Sequence, residues 1–149
     1  MLIPVEELKI LYARAIRDVA WEEPQPLPQA TRYQAGLVFR KGRQEFQLSF
    51  DAVASPEIMT LQATIPFAGG RQSVEALRRR ALRLNAETPG VKFFLAEVAS
   101  PLLVCSVEAI LASHGRIPHS EVVDAVLRVA MTRLEDALEA ARLPSEPLR

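Results

Sequence analysis

Cysteine occurs once in the 149 residues, at Cys105, so no disulfide can close within the chain. Lone thiols suit a reducing compartment, and the expected location is cytoplasmic. Two histidines are too few for a histidine-rich metal site. Neither sign of charge is in excess, with 18 Lys and Arg against 18 Asp and Glu. No overall field therefore draws the molecule to nucleic acid or anionic lipid, and any such binding has to be local. Long apolar runs are missing too. The most apolar stretch, Leu102 to Ala112, contains Glu108 and falls short of the ~18 residues of a membrane span. Pro4, Glu6 and Glu7 stand where a secretory signal has a basic start and an apolar stretch, so neither export nor a membrane is expected.

What is present describes a globular chain. Hydrophobic residues make up 49% and charged ones 24%, a balance that excludes disorder over most of the length. Residues 1–149 are expected to form a single domain. From Val5 the apolar residues Leu8, Leu11, Tyr12, Ala15, Ile16 and Val19 recur at three- and four-residue spacing, as in an amphipathic helix. A proline-rich linker over 22–30, with Pro24, Pro26 and Pro28, ends that helix and is expected to be extended and semi-rigid.

The period then shifts to two. Tyr33, Ala35, Leu37 and Phe39 form one strand face, and Phe46, Leu48 and Phe50 the next, with Lys41-Gly42 as the turn between them. Met59, Leu61, Ala63, Ile65 and Phe67 mark a third strand whose other face is polar but uncharged. Ser73 is a good cap for a helix from Val74 to about Ala86 with the stripe Leu77, Ala81 and Leu84. Two strands follow, Val91 to Val98 and Leu102 to about Ala109, each apolar on both faces, so both faces need cover. A helix of the same chain on one side and a second subunit on the other would supply it. A last helix begins at His119 or Ser120 and runs to Ala141, and 143–149 reads as a frayed tail. The order α-βββ-α-ββ-α makes the fold class α+β, an antiparallel sheet packed with helices.

The segment Leu61-Gln62-Ala63-Thr64-Ile65-Pro66 and the run from Ala81 through Asn85, Pro89, Gly90 and Lys92 to Phe93-Phe94-Leu95 resemble the bacterial YbjN family. Those proteins have a strand ending in an isoleucine-proline step, then a helix closing on an asparagine-rich end before a lysine-aromatic strand. Their fold is similar to that of type III secretion chaperones, small homodimers that hold extended segments of partner proteins. The resemblance implies a chaperone-like homodimer that binds a still unidentified protein partner, with stress response as a setting and with neither enzyme activity nor a cofactor. Candidates for the dimer interface are Leu77, Ala81, Leu84, Phe93, Phe94, Leu103, Cys105 and Val107.

Groups capable of chemistry read more simply as structure. His114 and His119 lack the further ligands that a metal site needs. Cys105 lies in an apolar alternating run, which favours a buried inert thiol over a nucleophile. Gly69-Gly70-Arg71 before the Ser73 cap has no Walker lysine, so a plain loop is favoured over an anion site. The pairs Glu6-Glu7, Glu22-Glu23 and Glu135-Asp136 are solvated-face charges, because neighbours on a helix point in different directions. The sharpest charge feature is a basic ridge: Arg79, Arg80 and Arg83 share about one third of a helix circumference. It is either a solubilising face or a local site for phosphates or an acidic protein, and it supports the alternative function, an accessory role in nucleic-acid transactions, direct or through a nucleic-acid-binding protein.

Overall fold

Gly42, at φ 63°, supplies the left-handed conformation required by the tight turn between the first two long strands. The structure, a computed structural model, describes residues 5–28, 34–51, 57–65, 73–96, 102–112 and 117–142. In chain order its elements are α1 (Val5–Ala20), β1 (Gln25–Pro26), β2 (Gln34–Lys41), β3 (Gln44–Asp51), β4 (Glu57–Thr64), α2 (Val74–Glu87), β5 (Lys92–Ala96), β6 (Leu102–Ala112) and α3 (Ser120–Arg142). The strands form one antiparallel sheet in the order β1-β2-β3-β4-β6-β5. The expected α+β class is therefore what the chain adopts.

Alternation in sequence becomes two faces in space. Leu37, Leu48, Leu61 and Val107 stand opposite one another across four strands and are all buried. Phe39 and Phe46 stack beside them, with ring centroids 5.5 Å apart. Onto this face α1 brings Leu8, Tyr12, Ala15 and Ile16, and α3 brings a stripe that includes Val123, Leu127, Met131 and Leu134; all join one buried cluster with the sheet. Each large side chain so buried contributes about 1.5–3 kcal/mol. α2 adds Leu77, Ala81 and Leu84 to the same cluster and packs mainly on β5.

Helix ends follow their local chemistry. The Ser73 hydroxyl accepts from the Ala76 N–H at 3.1 Å, the expected cap of α2. His119 plays that part for α3: its carbonyl accepts from Val122 and Val123, and its Nδ1 accepts from the Glu121 N–H at 3.3 Å. α1 ends on Trp21, at φ 59° and 91% exposed, a conformation that costs a side-chain-bearing residue ~1–2 kcal/mol.

Three boundaries differ from expectation. The proline-rich linker is extended, and it also pairs with the sheet, as β1. β6 runs on to Ala112 because Ile110 and Ala112 continue to pair with β4 across a register shift at Glu57/Ile58. The fourth expected strand is described only as β5, Lys92–Ala96, and the end of the third and the frayed tail lie outside the described residues.

Candidate functional site

Side chains and prolines occupy much of the two edges of the sheet. Along β2 the Leu27 N–H donates to the Gly36 carbonyl at 2.9 Å, Gln25 stands opposite Val38, and the Glu22 carboxylate accepts from the Arg40 N–H at 3.2 Å. Alternate residues of a strand send their backbone groups to opposite sides. Gln25 and Leu27 therefore face β2, while Pro24, Pro26 and Pro28 fall on the outward side, where none has an N–H to offer a further strand. At the other edge the Phe93 N–H donates to Asn85 Oδ1 at 2.7 Å, and Asn85 Nδ2 donates to the Phe93 carbonyl at 2.9 Å. The amide of Asn85 takes the place of a neighbouring strand. A partner segment added edge-on, one of the docking routes open to a protein of this kind, meets prolines at one edge and the Asn85 amide at Phe93 on the other.

The face of the sheet turned away from the core is accessible in part, with Ser106 and Val104 on it buried at 3% and 5% exposed. Gln25, Val38, Gln47, Gln62, Ser106 and Lys92 stand opposite one another from edge to edge. Gln62 Nε2 donates to Gln47 Oε1 at 3.3 Å within this row. Gly36, Ser49, Thr60 and Glu108 make the next row. From Thr60 to Thr64 the outer face of β4 is thus polar and uncharged, as the alternation indicated. Apolar groups flank the band: Ile58 opposite Ile110, itself 66% exposed, on one side, and on the other Phe94 opposite Val104, with exposed Leu102. The Lys92 ammonium lies 5.5 Å from the Phe94 ring centroid. A shallow depression of about 440 Å³ opens between Asn85, Lys92, Ser106 and Glu108.

The eight residues picked from sequence for a dimer interface divide sharply. Leu77, Ala81, Leu84, Phe93, Leu103, Cys105 and Val107 are all buried by their own chain, in its single core. Phe94 is the one of the eight on the outer face, where it is half-buried. An apolar pattern on both faces of β6 does not say which flank meets the chain's own helices; the structure assigns that role to Leu103, Cys105 and Val107. Of the opposite flank, Val104 is only 5% exposed, whereas Leu102 and Ile110 are open to water.

The arginines also separate. Arg78, Arg79 and Arg83 are exposed on the outward side of α2, and Leu82 among them is 72% exposed. Arg80 is half-buried; burial, and then the nearby Arg83 charge, lower its pKa. Of the acidic pairs, three members make structural contacts: Glu22 on Arg40, Glu23 with Arg17, and Glu135 with Lys41 at 2.8 Å. Both members of the Arg17–Glu23 pair lie in water, so its effect on stability is small. A cleft of about 400 Å³ beside Glu135 carries Lys41, Arg43 and Arg142 against Glu135, Asp136 and Glu139, so it selects no ion by sign. His114 and the Gly69-Gly70-Arg71 turn lie outside the described residues.

Cys105 is fully buried, with its Sγ 3.5 Å from the Ala63 carbonyl. Burial, against the weaker pull of that hydrogen bond, pushes the thiol from 9.0 up to about 12. The unfolded chain then ionises from about 9 while the native protein holds its proton to about 12, so stability present below pH 9 is lost as pH rises between them. Equilibrium urea unfolding at about pH 8 and about pH 10.5 is expected to show a loss of up to ~1.4 kcal/mol per pH unit relative to Cys105→Val. An identical pH slope in the two proteins would refute the burial effect.

Among the described residues, an antiparallel sheet with three helices packed on one face, and the opposite face free of helices, defines the class of protein in structural terms, α+β. No family model and no curated protein matches the sequence. Among solved structures, the crystal structure of YbjN from E. coli matches with a TM-score of 0.57 over 95% of this chain and 94% of that one, at 14% identity. The chain has a YbjN-like fold. Among the described residues no helix is long and apolar enough to cross a membrane.

Proposed function

We propose that the protein is a member of the YbjN family that works as a cytoplasmic, non-enzymatic adaptor, a homodimer that holds a segment of a partner protein in the manner of a secretion chaperone. The single observation that carries this reading is the outer face of the sheet, which no helix among the described residues covers and which keeps Ile58, Ile110, Leu102 and Lys92 exposed. That face has the composition of an interface: apolar groups at Ile58, Ile110, Leu102 and Phe94 around a band of uncharged hydrogen-bonding side chains. It also carries Lys92 and Glu108, opposite charges that a twofold axis passing between them would pair across two copies. The partner segment then docks on a remaining surface rather than by strand addition. YbjN itself has been put forward as a transcription regulator.

Ile110→Asp tests the reading. Ile110 is largely in water in one copy, so the change leaves folding intact, yet it places a carboxylate in the interface. Sedimentation is expected to show the dimer weakened at least tenfold, about 1.4 kcal/mol. An unchanged mass distribution would remove the outer face as the dimer surface. The second reading, direct action on nucleic acid, is favoured by the exposed Arg78, Arg79 and Arg83. It requires oligonucleotide binding that falls steeply with salt and is lost when Arg79 and Arg83 become Glu.

A further inference from the structure

We propose that the outward face of α2 is the seat of the partner segment, and that this segment is a short acidic peptide with a large apolar side chain. The inference rests on the adaptor reading and supplies what it lacks, a location and a chemistry for the partner. Four arginines stand on α2 against two glutamates, in a chain with no net charge, so the excess positive charge is local to this helix. Among the described residues Arg78, Arg79 and Arg83 enter none of the ion pairs. Arg79 and Arg83 are four apart, which sets them about 5–6 Å from each other on the helix surface. Carboxylates two apart in an extended segment are spaced similarly, about 6.6 Å.

Leu82 decides between peptide and nucleic acid. It lies four residues from Arg78 and three from Arg79, beside Arg83, so an apolar contact is framed by guanidinium groups on the helix surface. Phosphates have no use for such a contact, and binders of single strands offer aromatic side chains for base stacking, which α2 lacks. An acidic segment with an apolar side chain satisfies both features: its carboxylates take the forked guanidinium donors, and its apolar group covers Leu82. Glu75 and Glu87 at the two ends of α2 oppose an acidic chain running past them, which limits the seat to the middle of the helix.

The test is fluorescence anisotropy on the full chain with three labelled probes of equal length: a peptide alternating Glu with Leu or Phe, the same peptide with every apolar residue changed to Ser, and oligo-dT. At ~50 mM salt the first is expected to bind, at least about tenfold more tightly than the second or third. Arg79→Glu with Arg83→Glu, and separately Leu82→Ser, are each expected to weaken it about tenfold, with circular dichroism confirming that α2 is retained. Absence of binding, equal binding of oligo-dT, or variants that bind like the parent protein would each overturn the proposal. Light scattering on the same samples reads the mass independently: a monomer counts against the dimeric adaptor, whereas a dimer whose α2 variants still bind the peptide counts only against this seat.

Discussion

Asn85→Ala is expected to destabilise the protein by about 2–4 kcal/mol, since two hydrogen bonds are lost and the Phe93 N–H and carbonyl are left without partners. The loss exceeds that of an ordinary surface residue because the two bonds act together. They fix α2 to β5, and they satisfy the outward N–H and carbonyl of Phe93 in a strand of five residues. Asn85→Asp separates the two contributions. Its carboxylate still accepts from the Phe93 N–H, but it sets a negative oxygen against the Phe93 carbonyl in place of the Nδ2 donor, so it is expected to recover little. Equilibrium denaturation gives the magnitude, and amide exchange gives the location, with the Phe93 amide the one that accelerates most. A shift under 0.5 kcal/mol with unchanged Phe93 exchange would mean that Asn85 does not hold the edge; the threshold is about the scatter of surface substitutions.

Pro26→Thr combined with Pro28→Thr is expected to turn a protein of fixed mass into one whose light-scattering mass climbs with concentration. Both prolines are exposed, so little packing is lost. The substitutions return two outward N–H groups to a sheet edge, and a threonine favours the extended backbone already present there. Gly36→Val approaches the same edge from beneath. A Cβ at Gly36 would lie 2.9 Å from Leu27 Cδ1, so the added side chain pushes Leu27 away and loosens β1 from β2. The two variants should resemble each other in self-association although one alters the strap and the other the strand under it. If both keep the parent mass at high concentration, the prolines are not what protects this edge.

Much of this architecture was legible in the residue pattern. Period-two alternation through Leu37, Leu48 and Leu61 placed three strands and their buried face, because one flank of those strands is in water and the other in the core. Ser73 announced α2, and the stripe Leu77, Ala81 and Leu84 its buried side. The pattern was silent where both flanks of a strand are apolar, so Leu103, Cys105 and Val107 could be told from Leu102, Val104 and Ile110 only by the helices lying against them. It was silent also on strand order: β5 lies outside β6, although it follows β4 in sequence, because the crossover through α2 delivers it to the far edge. The prolines at 24, 26 and 28 carried a signal that was easy to miss. Their spacing of two is the strand period, and it marks a strand that can pair on one side only.

The candidate site was legible in part. The arginines of α2 and the aromatic Phe94 stand out in sequence, and both lie on accessible surface. The contacts that cap the edges were not legible, because they depend on Asn85 meeting Phe93 and on Glu22 reaching Arg40, eighteen residues away. Those two contacts redirect the functional reading from the edges of the sheet to its face and to α2.

The most direct test of the two-copy adaptor is sedimentation equilibrium of the full chain across micromolar concentrations. The expected species has twice 16.5 kDa, and Ile110→Asp shifts it toward single copies. A lone 16.5 kDa species at every concentration would contradict it.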